Sequence, residues 1–502
     1  MTIIPDTASK RSHWNAPLWR MALAAVFILT GTIIATHYHR QLGAQGLPWP
    51  RNTFLFRPEA RYSDLSVTVD QAISEAPYTY SIPANYFPFI YPLTLRLARG
   101  LPPHVYIQNF LAICLALFAF AAVLGPRSNE RLQGWPPQAA LLTALFVGSY
   151  QLVIAWWELP TGLWGLEPAQ GLTLLTTAAM GLAVVGAVVL RGAWRRDLVL
   201  VLLGLVVLLG NYPFIFGIDR GNIEAAMGGF CLLSLIFLVK GRPYLAAAIL
   251  APAIAAKGFP LALCVIFVAR REALAAVAAA LLAGLLTIWA LLALPGGIVH
   301  NLDAMQHGLA AFNNGYAAGA LRAFCADPLS GILIFNAQIP TASRVLDFVV
   351  GHYQRFALGI LVLCSLYAWL SRASFHRKVL AVVLGMLLFP DSILDYKLVH
   401  LLTAIFFMIY ADEPWDRRDF FLFIGLLVLM VPNNYYYVGG HSISTMASPV
   451  VLLLLVLGLL TDLGAWRSPA LAPLRAVGPL QMQTSKALRR PEKAKGPATR
   501  KR

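Results

Sequence analysis

Long apolar runs alternate with short polar segments along this chain, and that alternation predicts an all-α, polytopic bundle of membrane-spanning helices. Each run is close to the roughly 20 residues that a helix needs to cross hydrocarbon. Residues 201–209 and 450–460 carry no charge at all. Inside lipid every backbone N–H and C=O needs an internal partner, so runs of this kind must be helical. Their Ala, Leu and Gly content suits close-packed helices better than a barrel.

Charge then orients the spans, because basic residues gather in cytoplasmic loops. Arg20 precedes a first span at 21–36. That span lacks a small-x-small cleavage site, so it is expected to be retained rather than removed as a leader. Residues 38–103 follow as an outer loop. Spans near 104–124, 137–156, 170–190, 198–216 and 223–239 alternate between basic inner loops and an outer turn at Asp219-Arg220-Gly221-Asn222. The stretch 243–269 has basic residues at both ends and Lys257-Gly258-Phe259-Pro260 in its middle. A broken or re-entrant helix pair fits both facts. A span at 273–294, a second outer loop at 295–350, and spans near 354–371, 378–390, 397–411, 419–432 and 446–463 complete the domain 21–463. The pattern gives about a dozen crossings, a cytoplasmic N-terminus at 1–20, and a basic, disordered cytoplasmic tail at 464–502.

Composition agrees with this reading. Of 502 residues, 58% are hydrophobic and 12% charged, against roughly 25% charged in soluble proteins. The formal charge of +16 follows from basic inner loops and the tail, so no nucleic-acid partner is expected. Four of the five cysteines, Cys114, Cys231, Cys264 and Cys364, fall in apolar runs. Only Cys325 falls in an outer loop, which predicts no disulfide, and no Cys spacing suits a metal.

The first outer loop is too polar to span and too patterned to be a plain linker. Ser63 can cap a helix beginning at Asp64, with Leu65, Val69, Ala72, Ile73 and Ala76 on one face. An aromatic cluster, Asn85-Tyr86-Phe87-Pro88-Phe89-Ile90-Tyr91-Pro92, suits the interface, and a short helix follows at 93–99. Asp64 in a first helical turn complements the helix dipole, the ordinary role for such an acid; Asp70 is the competing carboxylate.

These segments resemble the first extracytoplasmic loop of membrane glycosyltransferases of the GT-C fold, closest to the glycosyltransferase 87 group, which includes polyprenyl-phosphomannose-dependent α-mannosyltransferases. That group shows an early acid and an aromatic stretch ending in Tyr-Pro-Pro; here it reads Tyr91-Pro92-Leu93, without the second proline. Arg220-Gly221-Asn222-Ile223-Glu224 is similar to the group's Arg-Gly-Gln-Val-Asn, with Asn222 and Glu224 as departures. Lys257-Gly258-Phe259-Pro260 is similar to its Lys-x-x-Pro element. Pro390-Asp391-Ser392 and Asp395-Tyr396-Lys397-Leu398 look like its late Pro-x-Ser … Tyr-x-Leu segment. The resemblance spans about residues 60–400 of the sequence.

The resemblance implies metal-free, inverting transfer of a hexose, mannose by default, from a polyprenyl-phosphate donor to a hydroxyl of a glycolipid, glycan or protein on the outer face of the cell membrane, with no cofactor. It makes Asp64 the base, and a positioned base contributes roughly 10²–10⁴-fold in rate. Lys257 is assigned to the donor phosphate, although lysines in apolar runs also snorkel. Arg220 either grips phosphate or pairs with Asp219, aided in the first case by free N–H groups of a helix beginning near Gly221. Glu224 faces the cavity or pairs with Arg220. Lys397 touches the donor phosphate or neutralises Asp391 and Asp395, and His400 makes a helix contact. Tyr91, Asn222 and Asp219 support the site. His300, His307, Asn313, Asn314 and Arg322 are candidates for binding acceptor sugar, and Trp156, Trp157 and Trp164 read as interfacial belt residues. A transporter or flippase of a lipid-linked or anionic substrate is the alternative, since broken helices with a buried lysine suit carriers. A non-catalytic envelope scaffold is a third reading.

Overall fold

A computed structural model describes residues 16–44, 62–74, 76–79, 86–125, 193–311, 326, 328–329, 348, 351–390, 393–411, 413–432, 437–438 and 441–466. The spans expected at 137–156 and 170–190, the tail beyond residue 466, and Trp156, Trp157, Trp164, Asn313, Asn314, Arg322, Cys325 and Asp391 lie outside the described residues.

The described chain is helical apart from a two-residue antiparallel pair, Tyr437–Val438 with His441–Ser442. In chain order the helices are α1 (Ala16–Ala44), α2 (Ser63–Ile73), α3 (Ile90–Ala98), α4 (Pro103–Leu124), α5 (Ala193–Leu209), α6 (Tyr212–Arg220), α7 (Glu224–Val239), α8 (Pro243–Lys257), α9 (Cys264–Ala269), α10 (Ala273–Ala293), α11 (Gly297–Ala311), α12 (Tyr353–Leu370), α13 (Phe375–Leu388), α14 (Leu401–Ile409), α15 (Arg417–Leu429), α16 (Ile443–Leu460) and α17 (Leu463–Trp466). Short 3₁₀ turns cover Pro77–Thr79, Phe259–Leu263 and Asp395–His400.

Four described helices contain apolar stretches long enough to cross a membrane, at Pro17–Ile34, Val105–Leu124, Ala273–Ala293 and Tyr353–Leu370. Counting the bent pair α5–α6 as one span makes five. The dozen full spans expected from the sequence are not reached among the described residues. Two of them, at 137–156 and 170–190, lie outside the described residues, and for others the reason is helix length. The 16-residue α7 reaches about 24 Å, short of the roughly 30 Å hydrocarbon core.

The outer faces of α10 and α12 are apolar. Leu274, Val277, Leu281, Leu285, Ile288 and Leu292 are exposed on α10, while its buried face is mostly alanine: Ala275, Ala276, Ala279, Ala283 and Ala290. Large residues outward and small residues inward is the distribution expected where the surroundings are lipid and the helices pack backbone to backbone. α7 lies at the centre, buried on almost every side, and packs against α4, α8 and α14.

Several expected boundaries shift for identifiable reasons. The span at 198–216 is two helices meeting at 58°. Asn211 makes the break: its side-chain oxygen accepts from Phe214 N at 3.0 Å, and its amide donates to the carbonyls of Val207 and Leu208 at 3.0 and 2.9 Å. One side chain thus satisfies both helix ends. The span at 397–411 begins as a 3₁₀ turn before α14. The stretch 243–269 is broken as expected, into α8, a 3₁₀ turn and α9. The second outer loop contains α11, on which His307 is exposed and bonded within its own helix, at 2.9 Å to the carbonyl of Asp303.

One end of the bundle is tied by charge. Arg377 in the first turn of α13 meets Asp416 at 2.6 Å, Asp419 at 2.7 Å and Asp462 at 2.9 Å. His376 adds a 2.9 Å contact to Asp419. At the same end Arg20 is buried. It donates to the carbonyls of Met408, Ile409, Ala411 and Glu413 at 2.7–3.3 Å, closing the C-terminal end of α14, and lies over the Trp415 ring.

Candidate functional site

At the other end, three segments far apart in sequence converge on Asp64. Tyr62, not Ser63, precedes α2, with a left-handed φ of 53°; Ser63 is the first helical residue and makes no cap bond, which corrects the expected capping role. The Tyr62 N–H donates to the backbone carbonyl of Asp219 at 2.7 Å, so the start of α2 docks on the end of α6. Asp64, in the first turn of α2, then faces Arg220 and Asn222. Its Oδ1 accepts from Arg220 Nη2 at 2.5 Å and its Oδ2 from Asn222 Nδ2 at 2.7 Å.

Gly221 makes that approach possible. Its φ is +65°, and a Cβ there would lie 2.6 Å from Leu65 Cβ. Only glycine meets both demands without strain. The helix expected to open near Gly221 begins at Glu224 instead: Gly221 closes α6, and the Glu224 N–H is taken by Asn222 Oδ1 at 3.0 Å. Free N–H groups at Gly221 are therefore not part of the site. Arg220 holds Asp64, a partner that the sequence reading did not foresee.

Glu224 does not pair with Arg220. It is fully buried, with His400 Nε2 at 3.0 Å from Oε2 and Lys257 Nζ at 3.8 Å from Oε1. His400, expected to make an ordinary helix contact, is thus part of a buried charged group. An ionisable group wholly removed from solvent is costly unless paired, and here a carboxylate on α7 is compensated by groups arriving from α8 and from the 3₁₀ turn at Asp395–His400.

Lys257 ends α8, and Gly258 turns the chain with φ +74°. The aromatic loop packs onto this turn. Phe87 N donates to the carbonyl of Ala256 at 3.0 Å, and a Cβ on Gly258 would strike the Phe87 ring at 2.8 Å. This seats the Tyr86 ring 4.2 Å from Lys257 Nζ. Burial first, and then the charge on Asp64, hold the pKa of the Tyr86 phenol well above its ordinary value. The ring stays neutral and offers its face to the ammonium. Tyr91 on α3 is buried and supports the loop edge-on through Tyr78, whose hydroxyl donates to the carbonyl of Tyr86 at 3.1 Å.

A cavity of about 810 Å³ opens beside this group. Lys257, Lys397, Tyr396 and Arg355 are among its lining residues. Leu358 and Leu361 of α12 and Met386 and Phe389 at the end of α13 add apolar surface to it. Asp64 is not in the lining. It is joined to the cavity electrostatically: Asp64, Glu224 and Lys397 all act on Lys257, and Asp64, Glu224 and Arg220 all act on the buried Tyr396. Asp395 is buried and accepts from Ser444 at 3.1 Å, which ties the 3₁₀ turn to α16. Tyr86 and Tyr396 lay within segments the sequence singled out but were given no role there, and Arg355 and Ser444 carried no sequence signal; the fold assembles all four.

No protein-family model matches the chain, and no match was found among curated proteins or solved structures. The resemblance to the glycosyltransferases therefore rests on the residues themselves.

Proposed function

We propose that this chain is a membrane glycosyltransferase of the GT-C type that uses a polyprenyl-phosphate sugar. The observation that carries the reading is a carboxylate, Asp64, positioned by Arg220 and Asn222 and acting electrostatically on Lys257, which lines a cavity together with Lys397, Arg355 and the apolar Leu358, Leu361, Met386 and Phe389. That combination of cations and apolar surface suits an amphiphile with an anionic headgroup and a hydrocarbon chain.

In the proposed reaction Asp64 accepts the proton of the acceptor hydroxyl. The hydroxyl oxygen attacks the anomeric carbon, the bond from that carbon to the phosphate oxygen breaks, and the electron pair leaves on polyprenyl phosphate. Lys257 and Lys397 meet that charge. Each Asp64 oxygen accepts one bond in the resting state, which leaves lone pairs for the acceptor. Mannose, the extracytoplasmic face, a multi-pass topology with cytoplasmic termini, and a glycolipid, glycan or protein acceptor belong to the same proposal.

The test is transfer of radiolabelled sugar from a short-chain polyprenyl-phosphate mannose, in proteoliposomes, by the native chain and by Asp64→Asn. Transfer lost in a variant that still melts cooperatively supports the reading; full transfer in the variant removes it. A second reading, a carrier of lipid-linked or anionic substrates, is favoured by the 58° break at Asn211 and the buried Glu224–Lys257–His400 group. Vectorial movement of the lipid-linked sugar without any transfer product would select it.

A further inference from the structure

A second, smaller cavity lies at the opposite end of α13. Its volume is about 180 Å³, and it is lined by Ile266, Ala269, Arg270, Ala373, Phe375 and Lys378. Along α13, Lys378 on the wall of this cavity and Met386 on the wall of the large cavity lie about 12 Å apart.

Two cations and no acid line this space. Arg270 lies over the Phe375 ring, 5.2 Å from its centroid, which fixes the guanidinium at the cavity wall. Glu272 acts on Arg270 electrostatically but is not in the lining. α13 opens at the same place, and its N-cap residue Ser374 makes no side-chain cap bond, so the positive end of the helix dipole adds to the two side chains. The neighbouring Arg377 differs sharply. It spends its donors on three carboxylates, while Lys378 one residue later faces the cavity. Arg271 adds a further observation. It takes a left-handed φ of 66°, where glycine is the usual residue, and so places a third cation on the turn beside Arg270.

We infer that this cavity is a binding site for an anionic phosphate group, supplied by the headgroup of a phospholipid or by a free phosphate. A basic pocket between helices near a membrane surface selects such groups by charge. The inference does not depend on the glycosyltransferase reading, since none of its residues belongs to the Asp64 site.

The experiment is native mass spectrometry of the full chain in detergent, with phosphatidylglycerol or phosphatidylcholine added at matched concentration. The native protein is expected to retain phosphatidylglycerol preferentially. R270Q/K378Q together should weaken that retention by about 30-fold, the effect of two basic groups at an anionic surface. Adding millimolar inorganic phosphate separates the sources: displacement of the lipid marks a site that takes free phosphate, and undiminished lipid adducts mark a headgroup site. Melting curves in phosphatidylcholine check that the variant folds, and K378Q alone serves if the double variant does not. Equal retention of the two lipids by the native chain, or unchanged retention by the folded variant, overturns the inference.

Discussion

Two clusters of ionisable groups, one around Arg377 and one around Lys257, are built on opposite principles. Around Arg377 the charges are saturated: one guanidinium meets three carboxylates, and Asp416 and Asp419 also cap α15 reciprocally. Around Lys257 a single buried carboxylate, Glu224, is shared by a lysine and a histidine, while Lys397 and Lys257 border open space. A saturated network holds helices together and has nothing left to offer a ligand. A network in which cations face a cavity is arranged to receive negative charge from outside the chain. The comparison teaches that charge count alone does not mark a site; what marks it is charge left facing space.

The sharpest way to break this contrast is at Asp64. Asp64→Asn should lower sugar transfer by about 10²–10⁴-fold while the chain still folds, because the amide keeps the size and loses the base, at a stability cost of up to about 3 kcal/mol from the weakened bonds to Arg220 and Asn222. Radiolabel transfer in proteoliposomes reads it. Next, Glu224→Ala should destabilise the fold by about 3–5 kcal/mol, as it strands Lys257 and His400 without their buried carboxylate; a thermal-shift assay reads the loss. Asp419→Asn at the opposite end should cost about 2–3 kcal/mol, the scale of hydrogen bonds to charged groups, and leave transfer by the surviving folded protein at native rates. Gly221→Ala should cost more than about 1 kcal/mol because of its left-handed φ. It should also lower transfer, since the added methyl pushes the 220–222 turn away from Asp64. Least affected should be Arg418→Ala, which breaks a 3.1 Å contact to Asp462 from a side chain that is 33% exposed; such pairs contribute about 0–1 kcal/mol. If Asp419→Asn abolished transfer as Asp64→Asn does, the division of labour between the two ends would be gone.

The membrane character of the fold was legible in the sequence because hydrophobic run length maps directly onto helices. The break at 257–260 was legible too, since Gly and Pro interrupt an apolar run. The bend at Asn211 was not. It needs one side chain to bond in both directions, and nothing in a pattern of apolar residues signals that. Asp64, Arg220, Asn222 and Lys257 were singled out by motif, and the structure brings them to one end of the bundle. Their partnerships were misjudged because they depend on the packing of α2 on α6. A left-handed glycine follows Arg220, whose guanidinium meets a carboxylate 156 positions away, a contact no local pattern signals. Arg20 was read as a topology signal because basic residues before a span usually are. Its burial follows from contacts 388–393 positions distant, which no local window contains.

Those last contacts bear on how the chain is made. Synthesis runs from the N-terminus, so the carbonyls that receive the Arg20 guanidinium do not exist until the last fifth of the chain has been produced. The first helix can pack on α5 before then, but the bonds from Arg20 to those carbonyls form only after α14 has been made.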